Sequence, residues 1–206
     1  VVFTSLSDKT VGSGFQPDGA PQTDANNDGL LDLLICGVED VGVLGTSIAR
    51  VYLNTGNCQM GSAINLGVGV SQGSVDWGDV DSDGDLDAFV GIDGPNEVWL
   101  NDGSGQFADS GQRLGSGNSE QVALADYDLD GDLDIVFGGS WLENPGTLSS
   151  KNWFSHPINT EWSPDTRVAI YDINSDDKPD VVLSVSEGEG KLSWFESPLN
   201  PKTGTW

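Results

Sequence analysis

The chain has 206 residues and carries 33 Asp and Glu against 8 Lys and Arg, a net charge of −25 at pH 7. Such a polyanion repels nucleic acid and anionic membrane surfaces, and no apolar run approaches the roughly 18 residues of a spanning helix, so neither nucleic-acid binding nor membrane insertion is expected. Seven tryptophans and 36% hydrophobic residues point to a packed core, and the length suits one sizeable β domain or two small ones.

Val1-Val2-Phe3 is followed at once by polar residues, so no cleavable signal is visible, which fits a mature product or a fragment. The first distinctive stretch is Asp24-Ala25-Asn26-Asn27-Asp28-Gly29-Leu30-Leu31-Asp32. Oxygen-bearing side chains stand at places 1, 3, 5 and 9, and glycine stands at place 6. Calcium and similar hard cations take six to eight oxygens, which alternating Asp on a tight turn can supply. Glycine at place 6 permits the positive φ that lets such a loop close.

The same loop returns as Asp79-Val80-Asp81-Ser82-Asp83-Gly84-Asp85-Leu86-Asp87 and as Asp126-Tyr127-Asp128-Leu129-Asp130-Gly131-Asp132-Leu133-Asp134. A fourth copy is Asp172-Ile173-Asn174-Ser175-Asp176-Asp177-Lys178-Pro179-Asp180. The first places are 55, 47 and 46 residues apart. Five aspartates crowded into nine residues of the third copy would repel one another without a cation. That makes a solvated acidic turn the weaker reading.

Each loop leads into a short apolar run: Leu33-Leu34-Ile35, Ala88-Phe89-Val90, Ile135-Val136-Phe137 and Val181-Val182-Leu183. These runs are too short for buried helices and read as central strands. Second strands follow at Ala49–Leu53, Glu97–Leu100, Ser140–Leu142 and Lys191–Phe195. A large apolar residue then stands nineteen places before the next loop, as Met60, Phe107 and Trp153. Phe3 is 21 places before Asp24, and Trp206 occupies the same phase at the far end. A further strand precedes the loops, as in Val122–Ala125 and Val168–Tyr171.

Four short strands in a period of 46–47 residues predict an all-β fold, a β-propeller built of four-stranded antiparallel blades. The repeats run approximately over 3–59, 60–106, 107–152 and 153–206 of a single domain. The first is lengthened by Val38–Ser47, a Gly-rich insertion placed in a strand connection, where individual function is expected to concentrate. Asn159–Asp165 is a second such loop. Val1–Leu6 reads as the outer strand of a preceding blade and Gly204–Trp206 as the start of another. The unit is then either a four-bladed ring closed by its N-terminal strand or part of a longer array whose open blade edges invite self-association.

Two cysteines, Cys36 and Cys58, suit an oxidising compartment and a disulfide. If Leu31–Cys36 pairs with Ile48–Asn54, however, Cys36 lies near the connecting loop and Cys58 beyond the opposite end, so bonded and free states both stay open. No Asn-x-Ser/Thr acceptor for N-glycosylation occurs.

The run Asp126–Phe137, with Trp99-Leu100-Asn101-Asp102-Gly103-Ser104-Gly105-Gln106-Phe107, resembles the FG-GAP/VCBS repeat family, and the likeness extends over nearly the whole chain. It implies an extracellular or cell-surface β-propeller with calcium in its blade loops, as in integrin α-chain heads and some fungal lectins. Family propellers of this kind often have seven blades, whereas four repeats stand here.

In such loops places 1, 3, 5 and 9 are expected to give side-chain oxygens and place 7 a backbone carbonyl. The candidate ligands are Asp24, Asn26, Asp28, Leu30 and Asp32; Asp79, Asp81, Asp83, Asp85 and Asp87; Asp126, Asp128, Asp130, Asp132 and Asp134; and Asp172, Asn174, Asp176, Lys178 and Asp180. Up to four Ca2+ ions are expected. The second and third loops, with four side-chain carboxylates each, should bind most tightly. The fourth should bind weakest, because Asp177 replaces glycine, although Asp tolerates a left-handed conformation better than most residues. The pattern is not an EF-hand, since the twelfth-place Glu is missing and the flanks read as strands. Magnesium would keep more waters, and zinc would want His or Cys.

Trp99, Trp141 and Trp194 are taken as equivalent second-strand residues that pack between blades, and Trp77 and Trp162, which break the repeat, as better ligand-stacking candidates. His156, the single histidine, reads as structural. No nucleophile motif, phosphate loop or marked acid pair is present, so a non-catalytic module for adhesion or recognition is expected. Its partner would be a glycan or a protein, with a filament or surface-layer subunit as the alternative and a polysaccharide-active enzyme a more distant one.

Overall fold

In the computed structural model the described residues are 10–11, 23–39, 46–57, 59–70, 73–92, 94–115, 121–148, 153–162, 166–185, 190–204 and 206. Among them every regular element is a strand, and no helix is long and apolar enough to cross a membrane. The first sheet contains β1 (Thr10–Val11), β2 (Leu33–Glu39), β3 (Thr46–Tyr52) and β4 (Ile64–Val70). The second contains β5 (Ser74–Gly78), β6 (Asp87–Gly91), β7 (Glu97–Asn101) and β8 (Phe107–Asp109). The third contains β9 (Val122–Ala125), β10 (Asp134–Phe137), β11 (Ser140–Glu143) and β12 (Phe154–Pro157). The fourth contains β13 (Thr166–Tyr171), β14 (Asp180–Val185) and β15 (Leu192–Phe195), three strands among the described residues.

Strands pair antiparallel in chain order within every sheet, as short connections require. The chain is thus all-β, with four antiparallel blades of a β-propeller, the architecture the repeat predicts. Strands β1 and β2 lie against β5, β5 lies against β9, and β13 lies against both β9 and β10.

Side chains alternate between the two faces of each blade, and each face meets a different neighbour. Two places after the last Asp of a loop, Leu34, Phe89 and Val136 join the core shared with the following blade. One residue further on, Val90, Phe137 and Leu183 join the core shared with the preceding blade. The large residues that open each period follow the same rule: Phe107, Trp153 and Trp206 pack into the first–second, second–third and third–fourth cores. Among the described residues no core cluster joins the fourth blade to the first, and the fourth blade's outward face exposes Tyr171, Leu192 and Trp194.

The register corrects several expectations. Trp141 pairs with Val136 and Trp194 with Val182, whereas Trp99 pairs with Ala88, one place earlier along its strand. Trp99 is therefore equivalent to Leu142 and Phe195, not to Trp141 and Trp194. A shift of one residue turns a side chain to the other face. Trp99 accordingly packs toward the first blade and Trp141 toward the fourth.

Trp162 is not a free stacking platform. It is buried in the third–fourth core, edge-on to Phe195, with the Lys191 ammonium 4.3 Å from its ring centre. Trp77 is half-buried and tilted against Phe107. The insertion begins and ends in strand rather than in a loop, since Val38 pairs with Ser47 and Glu39 with Thr46. Residues 40–45 at its tip lie outside the described residues, as do residues 163–165 of the second loop, Phe3 with the rest of Val1–Leu6, and Cys58. Cys36 is a buried free thiol in mid-ladder opposite Ala49, and burial pushes its pKa up to about 11.

Candidate metal centres

All four acidic loops join the first and second strands of their blades, and all four adopt one conformation. The place-5 amide donates to the place-1 carboxylate at 3.0 Å in every loop, as Asp28 to Asp24, Asp83 to Asp79, Asp130 to Asp126 and Asp176 to Asp172. The same amide also reaches the place-3 oxygen at 3.0–3.3 Å. The place-6 amide takes the other place-1 oxygen, and the place-7 amide takes the place-5 carboxylate. These bonds draw the side chains of places 1, 3 and 5 inward. Place 4 is left-handed in every copy, at Asn27, Ser82, Leu129 and Ser175, with φ between 59° and 63°. Asp177 takes φ 64° where the other loops have glycine.

Place 9 has a different task. Asp87 accepts the amide of Val80 on one oxygen and that of Asn101, at the end of β7, on the other, both at 2.9 Å. Asp32 does the same with Ala25 and Asn54, Asp134 with Tyr127 and Asn144, and Asp180 with Ile173 and Ser197. The neighbouring blade is tied in as well. Asn101 donates its side-chain amide to the Ala25 carbonyl, and Asn144 donates to that of Val80. The loops themselves touch: the Asn27 amide reaches Asp85 at 3.0 Å and the Ser82 hydroxyl reaches Asp132 at 3.3 Å. The side chains at place 7 of these two loops thus serve the junction between blades, which leaves only the backbone carbonyl for an ion.

The second loop brings Asp79, Asp81 and Asp87 within 4.8 Å of one another, and the third does the same with Asp126, Asp128 and Asp134. Burial pushes the carboxyls of Asp87 and Asp134 up to about 7, against the pull of their two backbone donors and with a further push from the acids at places 3 and 5. Asp81 and Asp128 are also raised, first by burial and then by neighbouring carboxylates, while Lys202 opposes the shift at Asp128. An all-oxygen donor set whose members hold one another's protons suits a hard divalent cation, which would favour the ionised forms. The first and fourth loops have Asn26 and Asn174 at place 3 and so carry less charge, and in the fourth the Lys178 ammonium lies 2.7 Å from Asp176.

Two participants escaped the loop spacing. Glu143, next to the Asn144 anchor, joins Asp128 and Asp130 in a third carboxylate cluster. Its counterpart Glu196 accepts the side-chain amide of Asn174 at 3.1 Å. The shared phase just before the anchor residue was the available signal. Lys202, which had no such signal, places its ammonium 2.6 Å from Asp128, 2.6 Å from Glu143 and 3.3 Å from Asp130. His156 stacks on Trp141 at 4.5 Å and meets Glu143 at 2.7 Å.

The FG-GAP-like repeat matches residues 24–90 and 79–137, two overlapping copies that together cover more than half of the chain. The chain belongs to the FG-GAP-like repeat family. These matches begin at Asp24 and Asp79, the first residues of two loops, and each runs on through the next acidic loop. No curated protein matches the chain. A structure of the Photorhabdus luminescens Tc holotoxin pore is similar at 18% identity and a TM-score of 0.43, over 81% of this chain and 8% of that one. The present chain therefore corresponds to under a tenth of that toxin chain.

Proposed function

We propose that this FG-GAP-like propeller is a non-catalytic, calcium-binding recognition module of an extracellular or cell-surface protein. One observation carries the reading: four loops of the same conformation stand at the same place in four blades, with oxygen donors turned inward. Asp79, Asp81, Asp83 and Asp87, with the carbonyl of Asp85, would hold an ion in the second loop, and the corresponding residues would do so in the others. The ion supplies positive charge where fourteen side-chain carboxylates stand at places 1, 3, 5 and 9 of the loops, more than the +8 of four Ca2+ would neutralise. Its part is structural, so the ligand is met elsewhere on the blades and is a glycan or another protein. Membership of a family that generally serves as a binding module supports the non-catalytic reading.

The test is thermal unfolding with Ca2+ and with excess chelator. A ligand that binds only the folded state stabilises it, so the melting temperature is expected to rise with Ca2+ and to respond more weakly to Mg2+. An identical melting curve in chelator removes the calcium reading.

A second reading, a subunit that assembles into a filament or surface layer, draws on the exposed Tyr171, Leu192 and Trp194 of the fourth blade. Analytical ultracentrifugation separates the two. A monomer at high concentration supports the recognition module, and concentration-dependent growth supports the subunit.

A further inference from the structure

The third loop differs from the second in the charges that face it. The second loop faces no cation in its own chain among the described residues, whereas Lys202 stands at the third. The lysine is 72 residues away from Asp130 in sequence, and the fold places it deliberately. Asn200 caps a turn in which its side chain accepts the Lys202 amide at 3.0 Å and its carbonyl accepts the Gly204 amide at 2.7 Å. Two residues further on, Trp206 lies flat on Tyr127, with ring centres 5.1 Å apart and planes 4° from parallel. Tyr127 is place 2 of the same loop. The segment thus grips the third loop twice, by charge at Asp128 and Asp130 and by stacking at Tyr127. The Asp128 side chain is almost wholly buried, whereas that of Lys202 stays 35% exposed.

We propose that Lys202 is a built-in competitor of the cation at the third loop, so that calcium entry there and docking of the segment around Lys202 and Trp206 oppose each other. The inference rests on the calcium reading above. Asp128 and Asp130 are the place-3 and place-5 ligands, and an ammonium 2.6 Å from one of them repels a divalent ion held by the same carboxylates. Glu143, which is not one of the nine loop residues, offers the displaced ammonium a carboxylate of its own at 2.6 Å. Coupling of this kind is reciprocal: whatever factor the docked lysine takes from calcium affinity, calcium takes from docking. The third loop, the equal of the second by its carboxylate count, becomes the weaker and responsive site.

The experiment is a Ca2+ titration by calorimetry, with tryptophan emission followed in parallel, on the full chain and on Lys202→Met, Lys202→Arg and Asp128→Asn variants. Lys202→Met is expected to tighten one site on the order of tenfold. Lys202→Arg, which keeps the charge, should stay near the parent protein. In the Asp128→Asn background Lys202→Met should make a smaller difference, because the nearer of the two shared carboxylates is gone. Calcium should shift the emission of the parent protein, and the shift should be lost in Trp206→Phe. Circular dichroism establishes that each variant is folded, and should Lys202→Met not fold, Lys202→Gln replaces it. Unchanged or weaker calcium binding in the charge-removed variant overturns the competition. Absence of calcium binding in every protein, the parent included, overturns the calcium reading itself.

Discussion

At place 9 of each loop a single carboxylate spends both oxygens on backbone amides, one within the loop and one at or just past the end of the blade's third strand. Asp87 is wholly buried and stands between Val80 and Asn101. Removing it leaves two buried N–H groups without acceptors, at about 1–3 kcal/mol each. Asp87→Ala is therefore expected to lose roughly 2–5 kcal/mol of stability even in chelator, read by urea unfolding. Asp83 is exposed and its carboxylate takes one backbone amide among the described residues, that of Asp85, so Asp83→Ala should change little in chelator and lose stability mainly in the presence of Ca2+. Equal losses in both variants without calcium would show that place 9 has no special structural part. The nine-residue spacing marks all of these residues as oxygen donors. It does not separate the anchor from the open ligands, because that depends on which amides the end of the third strand presents.

Trp141 and Trp194 occupy one position of the blade in two settings. Trp141 is fully buried between the third and fourth blades, edge-on to Tyr127 and stacked on His156, whereas Trp194 is 49% exposed on the last blade. Trp141→Ala is expected to cost about 3–5 kcal/mol, the range for a buried aromatic. Trp194→Ala should cost under about 1 kcal/mol in the isolated chain, because little packing is lost. Denaturant unfolding of the two variants decides the matter, and similar losses would mean that the fourth blade's face is covered in solution. Glycine marks the same kind of interface at Gly78, where an added Cβ would lie 2.7 Å from Leu124 and 2.8 Å from Leu133 of the third blade. The fourth blade carries Tyr171 at the equivalent register position, paired to Asp180 as Gly78 is to Asp87, and it is 75% exposed. The repeat pattern located these strands to within a few residues. It aligned Trp99 with Trp141 because both precede a leucine, and only the pairing of Trp99 with Ala88 exposes the one-residue offset.

The molecule as a whole is strongly acidic and stores part of that acidity out of contact with water. The carboxyls of Asp87 and Asp134 sit near pKa 7 in the folded chain, above the roughly 3.9 of an unfolded Asp. The folded state then binds the extra protons, so the stabilisation is complete below the unfolded pKa and is lost as pH rises through 7. Self-repulsion of a chain with net charge −25 acts in the same direction. In chelator the melting temperature is expected to fall between about pH 5 and pH 8. With saturating Ca2+ the fall should flatten or reverse, since the ion favours the ionised carboxylates and its affinity rises with pH. A melting temperature in chelator that climbs over this range would show that the two aspartates are ionised in the folded protein.

Much of this architecture could be read directly from the chain. Acidic loops, apolar runs and the phase of Phe107, Trp153 and Trp206 are local features, and both the donor spacing of a tight turn and the alternation of a strand operate within about ten residues. The direction each blade face takes, the double anchoring at place 9 and the burial of Trp162 depend on register and on the neighbouring blade. Those are pairings between residues far apart in sequence, and a one-residue shift invisible to composition reverses them. Lys202 at the third loop is the extreme case. Nothing within the local pattern pairs a lysine near the end of the chain with Asp128, and only the fold of the last blade and its following turn brings the two charges together.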